Sequence, residues 1–344
     1  MSELSVTVGI LSIGEMGLGI AKLLIAHNYR VVTNLEGRSE DTKSRAAIAS
    51  IQDLGSDTSL VSECDYILSI VPPRDALTTA QRITTAFNAI SPPKTTPLYY
   101  LDLNAISPRS ARSIATLFTT IPTITFLDGG IIGGAPRPQT SSLPSTNTIL
   151  TQSPGSGGWS KPSIPISGPL PSSLPASWTG LREVLGLNHI SEDVGTASGL
   201  KCCFATTTKG FTALCIQAFT TAGNLGVLPL LVKEMEERAP GMMRSARGGV
   251  VSMAPKAYRW VREMEEISQT HAEEGNFSSS SSTESGDTSH GVFHEIAEVY
   301  RTVAEDTVLG EEKTEKRKRG LDVEDVAAAM GEGLREKAKR ARKE

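Results

Sequence analysis

Six residues near the start of the chain, Ser12-Ile13-Gly14-Glu15-Met16-Gly17, have the make-up of a phosphate-binding turn. The apolar run Val6–Ile13 suits a buried strand, and the residues from Met16 to Leu24 repeat their apolar positions at helical spacing. Strand, glycine-rich turn and helix in that order aim backbone N–H groups and a positive helix end at a pyrophosphate. Gly14 would let phosphates approach the backbone, and Gly17 would let the helix lie close to the strand. Ser12 stands where the dinucleotide fingerprint has its first glycine; the competing reading is an ordinary strand-to-helix turn. Ser12, Gly14, Glu15, Met16 and Gly17 are therefore the expected pyrophosphate-binding residues.

The ends of the following strands carry the next candidates. Asn34 closes the second strand, where an enzyme using NAD usually presents a carboxylate to the ribose hydroxyls. Arg38 and Ser39 follow, and a guanidinium with a hydroxyl suits the 2′-phosphate of NADP through charge-assisted hydrogen bonds. Glu36 pulls the other way, since its carboxylate would suit the ribose of NAD. Ser39 as a helix cap and Arg38 as a solvated side chain are the alternatives to a coenzyme role. NADP is the expected cofactor, with NAD as the second choice. Val71 and Pro72 end another apolar strand, and the rigid Val71-Pro72-Pro73 backbone would border the nicotinamide riboside. Asn104 lies at the next strand end.

Those positions need a scaffold. Candidate strands at Val6–Ile13, Arg30–Asn34, Tyr66–Val71, Leu98–Leu103 and Thr123–Leu127 alternate with helices starting near Met16, Asp75 and Ser107, the pattern of an α/β, doubly wound parallel sheet. Residues from Pro136 to Lys161 are rich in Pro, Ser, Thr and Gly and read as a surface loop. Ser163–Pro169 reads as an edge strand because of its prolines. From Gly195 onward strand signals give way to helices at Ser198–Ala222, Ala254–Glu273, Val292–Asp306 and Val323–Arg342, with Ser278–Ser289 as a link. The expected division is 1–190 for the nucleotide-binding domain, 191–310 for an all-helical domain and 311–344 for a charged helical tail.

Composition narrows the class. A chain of 344 residues with 39% hydrophobic content and a net charge of -4 has room for two cores and no global basic field for nucleic acid. Cys64, Cys202, Cys203 and Cys215 lack paired metal-site spacing, and adjacent Cys202 and Cys203 read as reduced core thiols. His27, His189, His271, His290 and His294 form no close ligand cluster, so no metal is expected. No apolar run is long enough to span a membrane. Met1–Ser5 lacks the charged and apolar regions of a signal peptide, so a cytoplasmic location is expected. Lys316–Arg319 and Arg335–Lys343 are basic, but interleaved glutamates and the stripe Val323, Val326, Met330 and Leu334 favour an amphipathic helix over a nucleic-acid patch.

Taken together, Gly14–Gly17, Cys64–Pro73, Leu101–Pro108, Asp128–Gly134 and Ser198–Lys201 resemble the β-hydroxyacid dehydrogenase superfamily, which includes 6-phosphogluconate and 3-hydroxyisobutyrate dehydrogenases and imine reductases. Ser198–Gly210 and Lys256–Ile267 look most like an uncharacterised phosphogluconate-dehydrogenase-like branch. The resemblance implies a Rossmann-type N-terminal domain, a helical C-terminal domain and a homodimer. It implies that Lys201 is the general acid/base, and that Asn104, Gly133 and Gly134 contact substrate. Many members carry asparagine one turn after that lysine; here Ala205 stands there, and Thr208, one further turn along, is the expected substitute, with Thr206 and Lys209 less direct. Ile132 replaces the usual serine of the Ser-Gly-Gly loop. Trp260, Met264, Ile267 and His271 form a stripe read as core or interface, while Lys256 and Glu263 remain outer candidates for the site.

The expected function is an NADP-dependent oxidoreductase transferring hydride to or from a small carbonyl or hydroxy-acid substrate. An imine reductase-like or specialised-metabolite reductase is the enzymatic alternative. A non-catalytic NADP-binding protein is the alternative of another class, suggested by Ser12, Ile132 and Ala205. The expected partners are a small-molecule substrate and a second copy of the chain, with neither nucleic acid nor membrane.

Overall fold

The computed structural model describes residues 6–139, 158–277, 291–313 and 316–343. The chain divides into two compact units, Met1–Lys201 and Cys202–Glu344.

In the first unit the apolar runs become β1 (Thr7–Leu11), α1 (Glu15–Ala26), β2 (Arg30–Thr33), α2 (Glu40–Ile48), β3 (Gln52–Asp53) and α3 (Asp57–Glu63). They continue as β4 (Tyr66–Ser69), α4 (Ala76–Ala89), β5 (Leu98–Asp102), α5 (Pro108–Thr116) and β6 (Ile124–Gly129). After the short pair β7 (Arg137–Pro138) and β8 (Trp159–Ser160) come β9 (Ile164–Ser167), α6 (Ser177–Leu185) and β10 (Leu187–Ser191). Among the described residues, eight strands form one sheet in the order β10-β9-β6-β5-β4-β1-β2-β3. The sheet is parallel except where β6 meets β9. Strand order reverses between β1 and β4, which opens a crevice beyond their carboxyl ends.

Side-chain alternation sends Val8, Ile10, Tyr66, Leu68 and Leu101 to one face, against Ile20 and Leu24 of α1 and Trp178 and Leu181 of α6. Leu11, Ile67, Leu98 and Tyr100 go to the other, against Leu60 of α3, Ile83 of α4 and Ile114 of α5. Covering both faces is why these strands read as nearly unbroken apolar runs.

The segment expected at an edge is not there. β9 lies between β10 and β6, and β10 is the edge strand. Pro165 costs β9 one donor, but its carbonyl accepts the Gly130 N–H at 3.1 Å. One missing N–H is thus tolerated inside a strand of four residues.

Helix α7 (Thr196–Ala205) contains the division between the units, which falls after Lys201. The second unit comprises a π-helical turn at Thr206–Gly210, α8 (Phe211–Asn224), α9 (Leu228–Arg238), α10 (Pro240–Met253), α11 (Ala257–Glu273), α12 (Val292–Asp306) and α13 (Val323–Ala341). The single helix expected over Ser198–Ala222 is therefore interrupted. Three consecutive threonines explain why: Thr206 Oγ1 donates to the Cys202 carbonyl at 3.0 Å, and Thr207 and Thr208 both donate to that of Phe204, at 2.9 and 3.1 Å. Side-chain donors that compete for helix carbonyls loosen the regular backbone ladder.

Phe219 of α8, Met243 and Val250 of α10, Met264 and Ile267 of α11, Tyr300 of α12 and Met330 of α13 form the core of this unit. Of the stripe read as core or interface, Trp260, Met264 and Ile267 belong to this core, whereas His271 is only partly buried. Cys203 is exposed, unlike Cys202, so only one of the adjacent thiols belongs to the core. The basic residues around α13 are spread among acids: Arg319 pairs with Asp325, Lys337 with Asp306 and Lys339 with Glu336. The Ser278–Ser289 link, His290 and most of the Pro/Ser loop lie outside the described residues. Among the described residues, no helix is long and apolar enough to cross a membrane.

Candidate functional site

The glycine-rich turn joins β1 to α1. Gly14 is the N-cap of α1 in an extended conformation, with no side-chain cap, and a Cβ built on it would meet nothing within 4 Å. A Cβ on Gly17 would lie 2.2 Å from the Ser12 carbonyl oxygen, so only glycine lets the helix start this close to the strand. Ser12 itself sits at φ 79, the left-handed region that glycine enters freely and serine enters at a cost. The backbone thus takes up the glycine conformation of the fingerprint although the residue is serine.

Beyond β2, a cavity of about 90 Å³ is lined by Ser12, Gly14, Asn34, Arg38, Thr42 and Arg45, among others. It joins the glycine turn to two guanidinium groups. Arg45 donates to Thr42 Oγ1 at 3.1 Å, while its Nε is buried without a partner. Asn34 is already engaged: its Nδ2 donates to Asp57 at 2.7 Å, and its Oδ1 accepts the Glu36 N–H at 3.0 Å. Asp57 is in turn gripped by Arg82 through two hydrogen bonds of 2.9 Å. Ser39 is the N-cap of α2, accepting the Thr42 N–H at 3.4 Å, and is absent from the residues lining the cavity. The second guanidinium, Arg45, was not singled out by the sequence reading. A helix with Ala46 as its one buried residue among those described gives little periodic signal to fix which residues face the turn.

At the ends of β4 and β5 the amide of Asn104 is a clamp. Its Oδ1 accepts the Val71 N–H at 2.7 Å, its Nδ2 donates to Ser69 Oγ at 3.0 Å, and its own N–H donates to Asp102 at 3.0 Å. Asn104 is buried, so its side chain fixes the Val71-Pro72 backbone rather than standing open in the crevice. Asp102 is fully buried with Oδ2 unpartnered, and burial pushes its carboxyl up to about 7.

Next to it in register, Asp128 at the end of β6 anchors the start of α7. Its carboxylate accepts the N–H groups of Gly195 and Ser198, both at 3.0 Å, together with the hydroxyls of Ser198 at 2.5 Å and Ser167 at 2.9 Å. A negative charge at a helix start also opposes the helix dipole favourably. The helix so placed carries Lys201. A Cβ on Gly130 would lie 2.7 Å from the Lys201 Cβ, so the lysine stem rests on the glycine turn after β6. That turn continues to Gly133, at φ 124, and Gly134, where a Cβ would meet nothing within 4 Å. The Ile132 backbone is held by Ser163 through two hydrogen bonds. Farther on, Ala135 and Pro136 pack on α1, where a Cβ on Gly19 would come within 3.0 Å of both. The first unit therefore brings together the phosphate turn, the glycine loop and Lys201. Asp128, Gly19 and Gly130 are the positions that hold this arrangement.

In the second unit, Thr208 belongs to the π turn, so α-helical spacing from Lys201 does not carry through to it. It lines a cavity of about 620 Å³ with Lys209, Thr212, Met242 and Trp260, among others. Lys209 forms an ion pair with the buried Glu263 and lies 4.8 Å over the Trp260 ring. Thr206 Oγ1 is 2.7 Å from His271 Nε2, whose pKa burial lowers.

Residues 7–145 match the model of the NAD binding domain of 6-phosphogluconate dehydrogenase, and residues 222–303 match a Domain of unknown function (DUF1932). The chain joins an NAD-binding domain of the 6-phosphogluconate dehydrogenase type to a DUF1932 domain. Its fold is shared with 3-hydroxyisobutyrate dehydrogenase from Salmonella typhimurium, 16% identical with a TM-score of 0.59 over 94% of this chain and 99% of that one. A conserved hypothetical protein from Sinorhizobium meliloti 1021 is 18% identical, with a TM-score of 0.53 over 96% of this chain and 98% of the other. A conserved protein of unknown function, described as structurally similar to 3-hydroxyacid dehydrogenases, is 24% identical, with a TM-score of 0.52 over 87% and 96%. No curated protein matches the chain.

The residues of this NAD-binding domain fit the dinucleotide. The open face of Gly14 leaves the space a phosphate needs, and the uncapped start of α1 supplies N–H donors and a positive dipole end. Ser12 and Gly14 of the turn line one small cavity together with Arg38 and Arg45.

Proposed function

We propose that the chain is an NADP-dependent oxidoreductase acting on a small carbonyl or hydroxy-acid substrate, with Lys201 as general acid/base. The observation that carries this reading is the seating of Lys201 on Gly130, at the carboxyl ends of the strands where an open α/β sheet binds its ligands. When bound, NADP supplies a hydride acceptor or, reduced, a hydride donor. Gly14, Glu15, Met16 and Gly17 hold its pyrophosphate. Arg38 and Arg45 hold its 2′-phosphate, a dianion that two guanidinium groups bind more strongly than the neutral ribose hydroxyls of NAD. Asn104 fixes Val71 and Pro72 as a rigid border to the nicotinamide side. In oxidation, the amine of Lys201 takes the hydroxyl proton while hydride leaves the substrate carbon. In reduction, its ammonium returns that proton to the carbonyl oxygen. Gly133 and Gly134 offer backbone N–H donors to the substrate.

Two measurements test the reading. Calorimetry should find NADPH bound more tightly than NADH, and Arg45→Ala should weaken NADPH by about tenfold or more while leaving NADH nearly unchanged. Lys201→Ala should keep NADPH affinity and lower kcat by roughly 10²–10⁴ on a panel of hydroxy acids, carbonyls and cyclic imines. Turnover equal to wild type would reject Lys201, and activity confined to the imines would favour the imine reductase-like alternative.

A further inference from the structure

The larger cavity of the second unit has a hydrogen-bonding character that selects its ligand. Four hydroxyls line it, on Thr207, Thr208, Thr212 and Ser245. Each spends its proton on its own helix: Thr207 and Thr208 donate to the Phe204 carbonyl, Thr212 to that of Thr208 at 3.0 Å and Ser245 to that of Gly241 at 3.2 Å. A hydroxyl that has given up its proton retains acceptor lone pairs alone. The charge on the wall is also settled, because Lys209 is paired with Glu263. The rest of the wall is apolar, formed by Phe211, Met242 and the Trp260 ring.

The backbone builds this wall. In an α-helix three successive residues point in widely different directions, whereas the wider π turn brings Thr207, Thr208 and Lys209 to one cavity. Single π turns inside α-helices recur at functional sites. The volume of about 620 Å³ falls within the range of small-molecule sites.

We propose that this cavity binds an uncharged alcohol carrying an apolar body. The alcohol hydroxyl donates to the acceptors of the π turn, and its apolar part lies on Phe211, Met242 and Trp260. An anion gains nothing from a lysine already neutralised. A cation must compete with Lys209 for the Trp260 face and for Glu263. A carbonyl or ether of the same shape has no proton to donate. The inference rests on the second unit alone, so it stands or falls separately from the coenzyme reading.

Ligand-observed NMR on the full chain without coenzyme tests it, with benzyl alcohol, benzyl methyl ether, benzoate and benzylammonium as probes. Benzyl alcohol should bind saturably, with the ether and both ions about tenfold weaker. Ser245→Trp, on the exposed face of α10, should fill the cavity and abolish alcohol binding with thermal unfolding unchanged. Thr208→Val, which keeps the shape but removes an acceptor, should weaken the alcohol several-fold and leave the ether as it was. Equal affinity for alcohol and ether, binding that survives Ser245→Trp, or no saturable binding of the alcohol would each overturn the proposal. NADPH affinity measured on the same samples separates failure here from failure of the coenzyme site.

Discussion

Asp102 and Asp128 face each other in register on neighbouring strands, yet the protein treats their carboxylates differently. Asp128 receives donors from Gly195, Ser198 and Ser167, whereas Asp102 receives the Asn104 N–H and keeps Oδ2 unpartnered. Burial is the largest influence on Asp102 and raises it from 3.8 to about 7, with the nearby Asp128 charge adding to the rise. The folded state thus holds a proton that the unfolded chain releases. Since stability falls with pH wherever the folded state binds more protons, Asp102 lowers stability progressively as pH rises from about 4 to 7. Asp102→Asn imitates the neutral carboxyl. Urea unfolding of this variant should lack that decline, whose steepest slope is about 1.4 kcal/mol per pH unit for one proton. Matching pH profiles for variant and wild type would show that Asp102 is ionised in the fold.

At the scale of elements, the placement of Lys201 depends on how α7 begins. A buried carboxylate is a strong cap when its donors are fixed, and removing it strands those donors away from water. Asp128→Ala should therefore cost about 3 kcal/mol or more and speed amide exchange at Gly195–Lys201 beyond the rest of the first unit. Unchanged exchange in that segment would remove Asp128 from the positioning of Lys201. Legibility in the sequence followed the same physics. β1, β2, β4, β5 and β6 were readable because a parallel strand covered on both faces must be apolar, whereas β3, two exposed polar residues, carries no such signal. The turn at Ser12–Gly17 was readable because Gly17 is required sterically. Arg45 and Thr42 escaped notice because α2 is largely solvated. Helix α10 did so because Pro240, Gly241, Gly248 and Gly249 break up its apolar pattern, and α9 because it buries Leu228 and Val232 alone among its described residues. The π turn was hidden because hydropathy spacing records where side chains belong, not which carbonyls the threonine hydroxyls occupy. Lys201 came from family resemblance; its contact with Gly130 depends on long-range packing that no local pattern encodes.

At the scale of the whole molecule, the second unit carries apolar surface that its own core leaves uncovered. Between α8 and the start of α9 the chain reads Leu225-Gly226-Val227-Leu228-Pro229-Leu230. Leu228 turns inward, while Leu225 and Leu230 are 71% and 64% exposed, and Val227 is exposed beside them. Single exposed apolar residues are ordinary, but a run of them on one helix junction favours association. We propose that a second copy of the chain covers this junction in a homodimer. Light scattering after size exclusion should give twice 36.6 kDa for the wild type and 36.6 kDa for Leu225→Asp/Leu230→Asp. Both positions are solvent-facing in the single chain, so the double variant should keep its far-ultraviolet circular dichroism. A wild type that elutes as monomer would refute the dimer, and a variant that stays dimeric would move the interface elsewhere.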